Sequence, residues 1–213
     1  MAEPWTFGNE PLAQTATAAD LLRRVTGRLL ALEGDEPEVE HLVAELRRVD
    51  DALAARVPDD PTPRVGAAAS GEGRAYVDHA RDIGAYNPCF PHYDITVDVN
   101  RAAGSVEFPL PYEGPPGIVH GGFLGVFFDC AVQHHNCDVG VAGKTTSMAL
   151  RYRRPAPLLT SLAFTIERSA ADGRIRSTGR LLDGERLLCE AEVDAVAGDP
   201  AALPEVSPRR SVR

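Results

Sequence analysis

From His120 to Asn136 the chain carries Phe123, Leu124, Val126, Phe127, Phe128, Ala131 and Val132, so a helix there is apolar almost all round. A helix of that kind is buried on most of its faces. The flanking sequence is strand-like. Tyr93, Ile95, Val97 and Val99 alternate with polar residues, and after a turn at Ala102 to Gly104, Val106, Phe108 and Leu110 alternate again. Beyond the helix come Met148, Leu150 and Tyr152, then Leu162, Phe164 and Ile166, then Ile175 to Leu181, then Leu187 to Ala195. Asp172-Gly173 and Asp183-Gly184 are hairpin signals between the last three runs. The expected class is α+β. Two strands, a helix and a four-strand meander would form an antiparallel sheet wrapped around the central helix.

Upstream, residues 15–57 read as helical. Leu21, Leu22, Val25, Leu29 and Leu32 precede a break at Gly34 to Pro37, and Val39, Leu42, Leu46, Val49 and Leu53 then recur at spacings of three and four. The expected organisation is an N-terminal helical extension over residues 1–57 that forms a helical hairpin. A Pro/Gly/Ala-rich linker over 58–74, a sheet domain over 75–197 and a disordered tail over 198–213 would follow.

The net charge of −9 is unevenly spread: ten acidic residues against three basic ones fall between Ala31 and Asp60, and the rest is near neutral. An acidic chain lacks the basic field that nucleic acid requires, so no nucleic-acid partner is expected. The longest apolar run, Phe123 to Phe128, is too short to span a bilayer, and Met1 to Pro11 has no signal-peptide pattern. Cys89, Cys130, Cys137 and Cys189 form no C-x-x-C pair. Reduced thiols in a cytoplasmic protein with no membrane insertion are the expectation.

Gly122, Gly125, Asp129, Gln133 and Asn136 are spaced to line one face of the central helix. Small residues there permit close approach, and a carboxylate among apolar neighbours needs a partner or a functional reason. The N–H groups of Gly121 and Gly122 lie at the helix start, where the dipole favours negative charge, as an oxyanion does. The eight residues from Gly121 to Asp129 span about 12 Å at about 1.5 Å per residue, too far for both to act on one carbonyl carbon. If both act on one substrate, Gly121 of one subunit faces Asp129 of another across a two-fold axis.

The stretch Gly117 to Asp129 (GIVHGGFLGVFFD) resembles the signature of the hotdog-fold acyl-CoA thioesterases of the PaaI type. It contains His120-Gly121-Gly122, with Asp129 nine residues after the histidine. Thr145 to Pro157 (TTSMALRYRRPAP) is similar to that family's next strand, and Asn87-Pro88 resembles a dipeptide that often precedes its first strand. The resemblance implies hydrolysis of an acyl-CoA thioester, without a cofactor, in a homo-oligomer that is a homodimer or homotetramer. It implies Asp129 as general base or nucleophile, Gly121 as oxyanion donor, His120 as support for that loop and Thr145 as a water-placing hydroxyl. Gly122 and Phe123 are expected beside the substrate. One departure stands out. Several relatives carry Asn or Gln in the loop before His-Gly-Gly, whereas Arg101 to Val119 has neither and offers Glu113 and Tyr112 as its nearest polar side chains, so either Glu113 takes a supporting role beside the substrate or the site lacks one element. A non-catalytic acyl-CoA-binding or partner subunit is therefore the alternative reading.

Arg151, Arg153 and Arg154 at the end of the following strand have two readings: a solvated edge that blunts pairing, or contact with CoA phosphates. Cys130, His134 and Cys137 share one helix face, but three ligands on one helix lack the second cluster of a structural zinc site, so no metal is expected.

Overall fold

The computed structural model describes residues 9–60, 63–64, 74–77, 82–141 and 143–198. Most of the expected linker, and all of the expected tail beyond Gly198, lie outside these residues. The chain divides into two compact units. One contains α1 (Ala13–Leu30) and the chain from residue 82 onward. The other contains α2 (Pro37–Ala54) and a short parallel pairing of β1 (Pro63–Arg64) with β2 (Arg74–Ala75).

Helix α2 starts on Pro37, which cannot use a backbone donor, and places Glu38 and Glu40 in the first turn, where the dipole favours them. It has no buried residue. Helix α1 is docked in its own unit. Ala19 and Arg23 are buried, and the Arg23 guanidinium donates to the carbonyls of Phe90 (2.9 Å), Gly84 (2.6 Å) and Asn87 (3.1 Å). These carbonyls lie in and just after the one-turn helix α3 (Ile83–Tyr86). A sequence pattern of leucines does not show that an arginine, rather than a leucine, anchors the helix.

The sheet comprises β3 (Tyr93–Asp98), β4 (Arg101–Glu107), β5 (Gly143–Tyr152), β6 (Ser161–Ala171), β7 (Arg174–Asp183) and β8 (Arg186–Ala197). All its pairings are antiparallel, in the order β3-β4-β6-β7-β8-β5. The expected four-strand meander is corrected here. Only β6, β7 and β8 meander, while β5 lies at the far edge against β8, and β6 pairs with β4. Alternation assigns a side chain to a face but does not choose a strand's neighbour. The two Asp-Gly hairpin turns fall where expected, with positive φ at Asp172, Gly173 and Gly184, but the turn expected at Ala102 to Gly104 is corrected: the chain turns at Val99-Asn100, and Ala102 to Gly104 are paired inside β4.

Helix α4 (Gly121–Asp138) packs on the inner face of the sheet. Phe127 is the hub of the core, with ring centroids 5.2 Å from Phe164, 5.5 Å from Phe128, 5.6 Å from Phe108 and 5.9 Å from Tyr93. Phe128 lies on Gly179, where an added Cβ would stand 2.5 Å from the ring. The helix is nevertheless not covered all round. Gly122, Phe123 and Val126 are exposed, and Asp129, Cys130 and Gln133 are half-buried along the same side. Beside them, β5 is a ten-residue edge strand on which Lys144 to Ala149 are all exposed. The apolar wheel therefore covers two surfaces, one filled by this chain's own sheet and one left open.

Candidate active site

The start of α4 is built from three segments. The N–H of His120 donates to the Tyr112 carbonyl at 2.8 Å, and that of Val119 to Ala156 at 2.9 Å. His120 is the N-cap, with extended backbone, and its Nδ1 accepts from the Gly122 N–H at 3.1 Å. Its carbonyl accepts from Phe123 at 2.9 Å. Gly121 has no acceptor for its N–H among the described residues. The first turn thus offers one unpartnered donor at the positive end of the dipole.

Asp129 lies two turns further on, half-buried on the open side of the helix. Thr145 Oγ1 donates to Asp129 Oδ1 at 2.7 Å, and Oδ2 has no hydrogen-bond partner among the described residues. A bulge in β5 makes this contact. Thr145 pairs with Ala195 and Ser147 with Asp194, so one residue is extra and the strand changes phase at Thr146. Met148 and Leu150 lie against Gly125 of α4, where an added Cβ would be 3.5 and 3.1 Å away. In unbroken alternation with those residues, Thr145 would point to the outer face.

Phe123 lies beside this start, its ring 4.9 Å from that of Tyr112 and 6.0 Å from that of His120. Burial pushes the Tyr112 phenol above its ordinary range. Glu113 does not project as a free side chain: its Oε1 accepts from the Gly117 N–H at 2.6 Å and braces the loop before His120. The arginines at the end of β5 are engaged across the sheet. Arg151 pairs with Glu192 and Glu190, Arg153 with Glu190, and Arg154 donates to the Leu187 carbonyl. Such exposed pairs contribute little to stability.

The other reactive groups on α4 have structural partners. Burial, reinforced by the neighbouring Asp129 charge, pushes the Cys130 thiol up to about 12, which leaves it protonated and unreactive. His134 Nδ1 lies 2.8 Å from the Tyr93 hydroxyl, and Asn136 accepts from Arg168 at 2.8 Å. Among the described residues no group of His, Cys, Asp and Glu could hold a metal ion, and no helix is long and apolar enough to cross a membrane.

No family model matches the sequence, and no curated protein matches it. Among solved structures, the chain is similar to a protein whose crystal structure is described as that of a thioesterase superfamily protein. The two are 26% identical, with 92% of this chain and 97% of the other covered and a TM-score of 0.71. The chain has the hotdog fold of the thioesterase superfamily. Over half its length it also matches a hypothetical thioesterase from Streptococcus pneumoniae solved with coenzyme A (16% identity, 50% of this chain and 86% of that one, TM-score 0.48). E. coli PaaI, from the phenylacetic acid degradation operon, matches at 15% identity over 49% of this chain and 82% of its own, with a TM-score of 0.46.

In this hotdog chain, one residue beside the unpartnered Gly121 N–H was missed in the sequence. Tyr152, at the end of β5, donates its hydroxyl to the Gly121 carbonyl at 3.0 Å. In the sequence it reads as one more position of an alternating strand and as the tyrosine of the Tyr-x-x-Pro-Ala ending that the resemblance includes, with no contact to Gly121 indicated. Its distance from Gly121 along the chain hides the contact.

Proposed function

We propose that the protein hydrolyses acyl-CoA thioesters at sites shared between two copies of the chain. The observation that carries this reading is the Thr145–Asp129 hydrogen bond on the uncovered side of α4. One carboxylate oxygen is held by Thr145, and the other has no hydrogen-bond partner among the described residues. Asp129 as general base would take a proton from water while the water oxygen adds to the thioester carbonyl. As nucleophile, it would add directly and form an anhydride that water then opens. In both routes the carbonyl oxygen gains negative charge, which the Gly121 N–H stabilises, and the CoA thiolate leaves and takes up a proton.

In this reading the two roles fall to different subunits, supported by the about 12 Å between Gly121 and Asp129 along α4. The open stripe of Gly122, Phe123 and Val126 and the exposed edge of β5 are continuous candidates for that interface. Pairing β5 with its copy would satisfy the edge and bring two α4 helices side by side. A homodimer, or a homotetramer built from it, follows. In the same reading Phe123 flanks the reacting group, and Arg151, Arg153 and Arg154 are candidates for the CoA phosphates, the first two once released from Glu190 and Glu192 and Arg154 from the Leu187 carbonyl.

The second reading is a non-catalytic acyl-CoA-binding or partner subunit. It is favoured by Glu113, whose carboxylate is engaged by Gly117 in the loop where relatives carry an amide. The deciding experiment is a panel of acyl-CoA substrates read by release of free thiol, with wild type beside Asp129→Asn and Asp129→Ala. Turnover that falls at least about a thousandfold in both variants supports the catalytic reading. Retained turnover in both would remove Asp129 from the reaction, and tight binding without any turnover would favour the second reading. In single turnovers in ¹⁸O-water, product acid without ¹⁸O, with the label left in Asp129, would identify Asp129 as nucleophile.

A further inference from the structure

We propose that Tyr152 is a positioning residue that aims the Gly121 N–H; this rests on the thioesterase reading above. Gly121 meets two demands that oppose each other. Its backbone must present an N–H in one direction, yet glycine is the residue whose backbone is least restrained. The first turn of a helix is also where fraying begins.

The structure counters that freedom from both sides of the Gly121 Cα. On one side, the His120 carbonyl, which shares a peptide plane with the Gly121 N–H, accepts from Phe123 at 2.9 Å. On the other, the Gly121–Gly122 peptide is held at both ends. His120 Nδ1 accepts from its N–H at 3.1 Å, and the Tyr152 hydroxyl donates to its carbonyl at 3.0 Å. With both planes held, the direction of the Gly121 N–H is set.

The ring has a second effect. A Cβ at position 121 would stand 2.9 Å from both Cζ and the hydroxyl oxygen of Tyr152. The tyrosine thus occupies the space that makes glycine necessary, and it also replaces the order that glycine lacks. The Tyr152 backbone is firm, paired with the fully buried Cys189 on β8. The strand that holds Asp129 through Thr145 thereby holds Gly121 through Tyr152.

The test uses Tyr152→Phe, Gly121→Ala and the double variant of the full chain, on whichever acyl-CoA wild type turns over. Tyr152→Phe keeps the ring and loses only the hydroxyl, so kcat should fall about five- to tenfold, on the scale of one hydrogen bond, with KM within about twofold. Amide exchange of the segment around His120 to Phe123 should quicken by about the same factor, while the melting temperature stays within about 2 °C. Gly121→Ala pushes the ring aside, so the double variant should be no more than about twofold slower than the worse single variant. An unchanged kcat in Tyr152→Phe, a loss confined to KM, or losses that multiply fully in the double variant would each overturn the proposal and leave the thioesterase reading standing. A wild type that turns over no acyl-CoA would overturn both.

Discussion

Thr145 donates to Asp129 Oδ1 at 2.7 Å, and it reaches the carboxylate only because β5 shifts phase by one residue at Thr146. The bulge turns a hydroxyl that strand alternation would place on the outer face toward the helix. Thr146 instead donates to the Asp194 carbonyl, and Ser147 to the Asp194 carboxylate. A β-bulge beside a functional group has this use: it re-aims one side chain without changing the rest of the strand.

The first prediction concerns that hydroxyl. Thr145→Val keeps the shape and leaves Asp129 without its donor, so kcat on the best acyl-CoA should fall about tenfold. Thr145→Ser should recover most of the rate. Steady-state thiol release decides between this and a purely structural threonine, for which Val and Ser would be equivalent.

Stability should depend on pH through His135. The side chain is fully buried, with Nε2 2.7 Å from the Asp98 carbonyl. Burial is the main cause that holds its imidazole below the ordinary range, helped by the Arg168 charge and opposed by the Asp98 hydrogen bond and by Asp138. Its folded pKa is therefore below its unfolded one. Both states are neutral above about 6.5, and below that the unfolded chain gains the proton first, so stability is lost as pH falls. Urea midpoints between pH 8 and pH 5 should decline more steeply for wild type than for His135→Gln. Equal slopes would contradict the assignment.

Gly179 gives a packing prediction. A methyl group there would sit 2.5 Å from Phe128, which is itself fully buried, so Gly179→Ala should cost about 1–3 kcal/mol. A smaller partner, Phe128→Leu, should make the same alanine markedly less costly. Urea unfolding of the four combinations measures that coupling.

Arg23 should matter more than any leucine of α1. It is 6% exposed and satisfies three main-chain carbonyls, so Arg23→Met should cost about 2–4 kcal/mol by leaving them unpaired. Hydrogen exchange should rise first in the segment from Gly84 to Phe90. Exchange that rises uniformly over the whole sheet would argue against a local anchor.

Much of the architecture was legible before any coordinates. The alternating runs named the strands, Asp172-Gly173 and Asp183-Gly184 marked the hairpins, and the apolar stretch marked the helix. Local stereochemistry decides all of these within a few residues. The motif from His120 to Asp129 also placed the candidate donor and carboxylate, and helix rise alone set them about 12 Å apart. What stayed hidden was non-local. Pro109 and the following turn end β4 at Glu107 and take Leu110 out of the strand expected to hold it. Arg151, in β5, and Arg153, just after it, meet Glu190 and Glu192 only because β8 is the neighbouring strand.

The sequence by itself determined which stretches form the strands and the central helix and where the two Asp-Gly hairpins turn, because these depend on side-chain type and local backbone preference. Tertiary structure alone decided that β5 takes the far edge of the sheet, that Thr145 faces Asp129, that Tyr152 closes on Gly121 and that Arg23 secures α1. Each of those depends on strand pairing and close packing between residues far apart in the chain, and a single extra residue in a strand is enough to reverse a side chain's face.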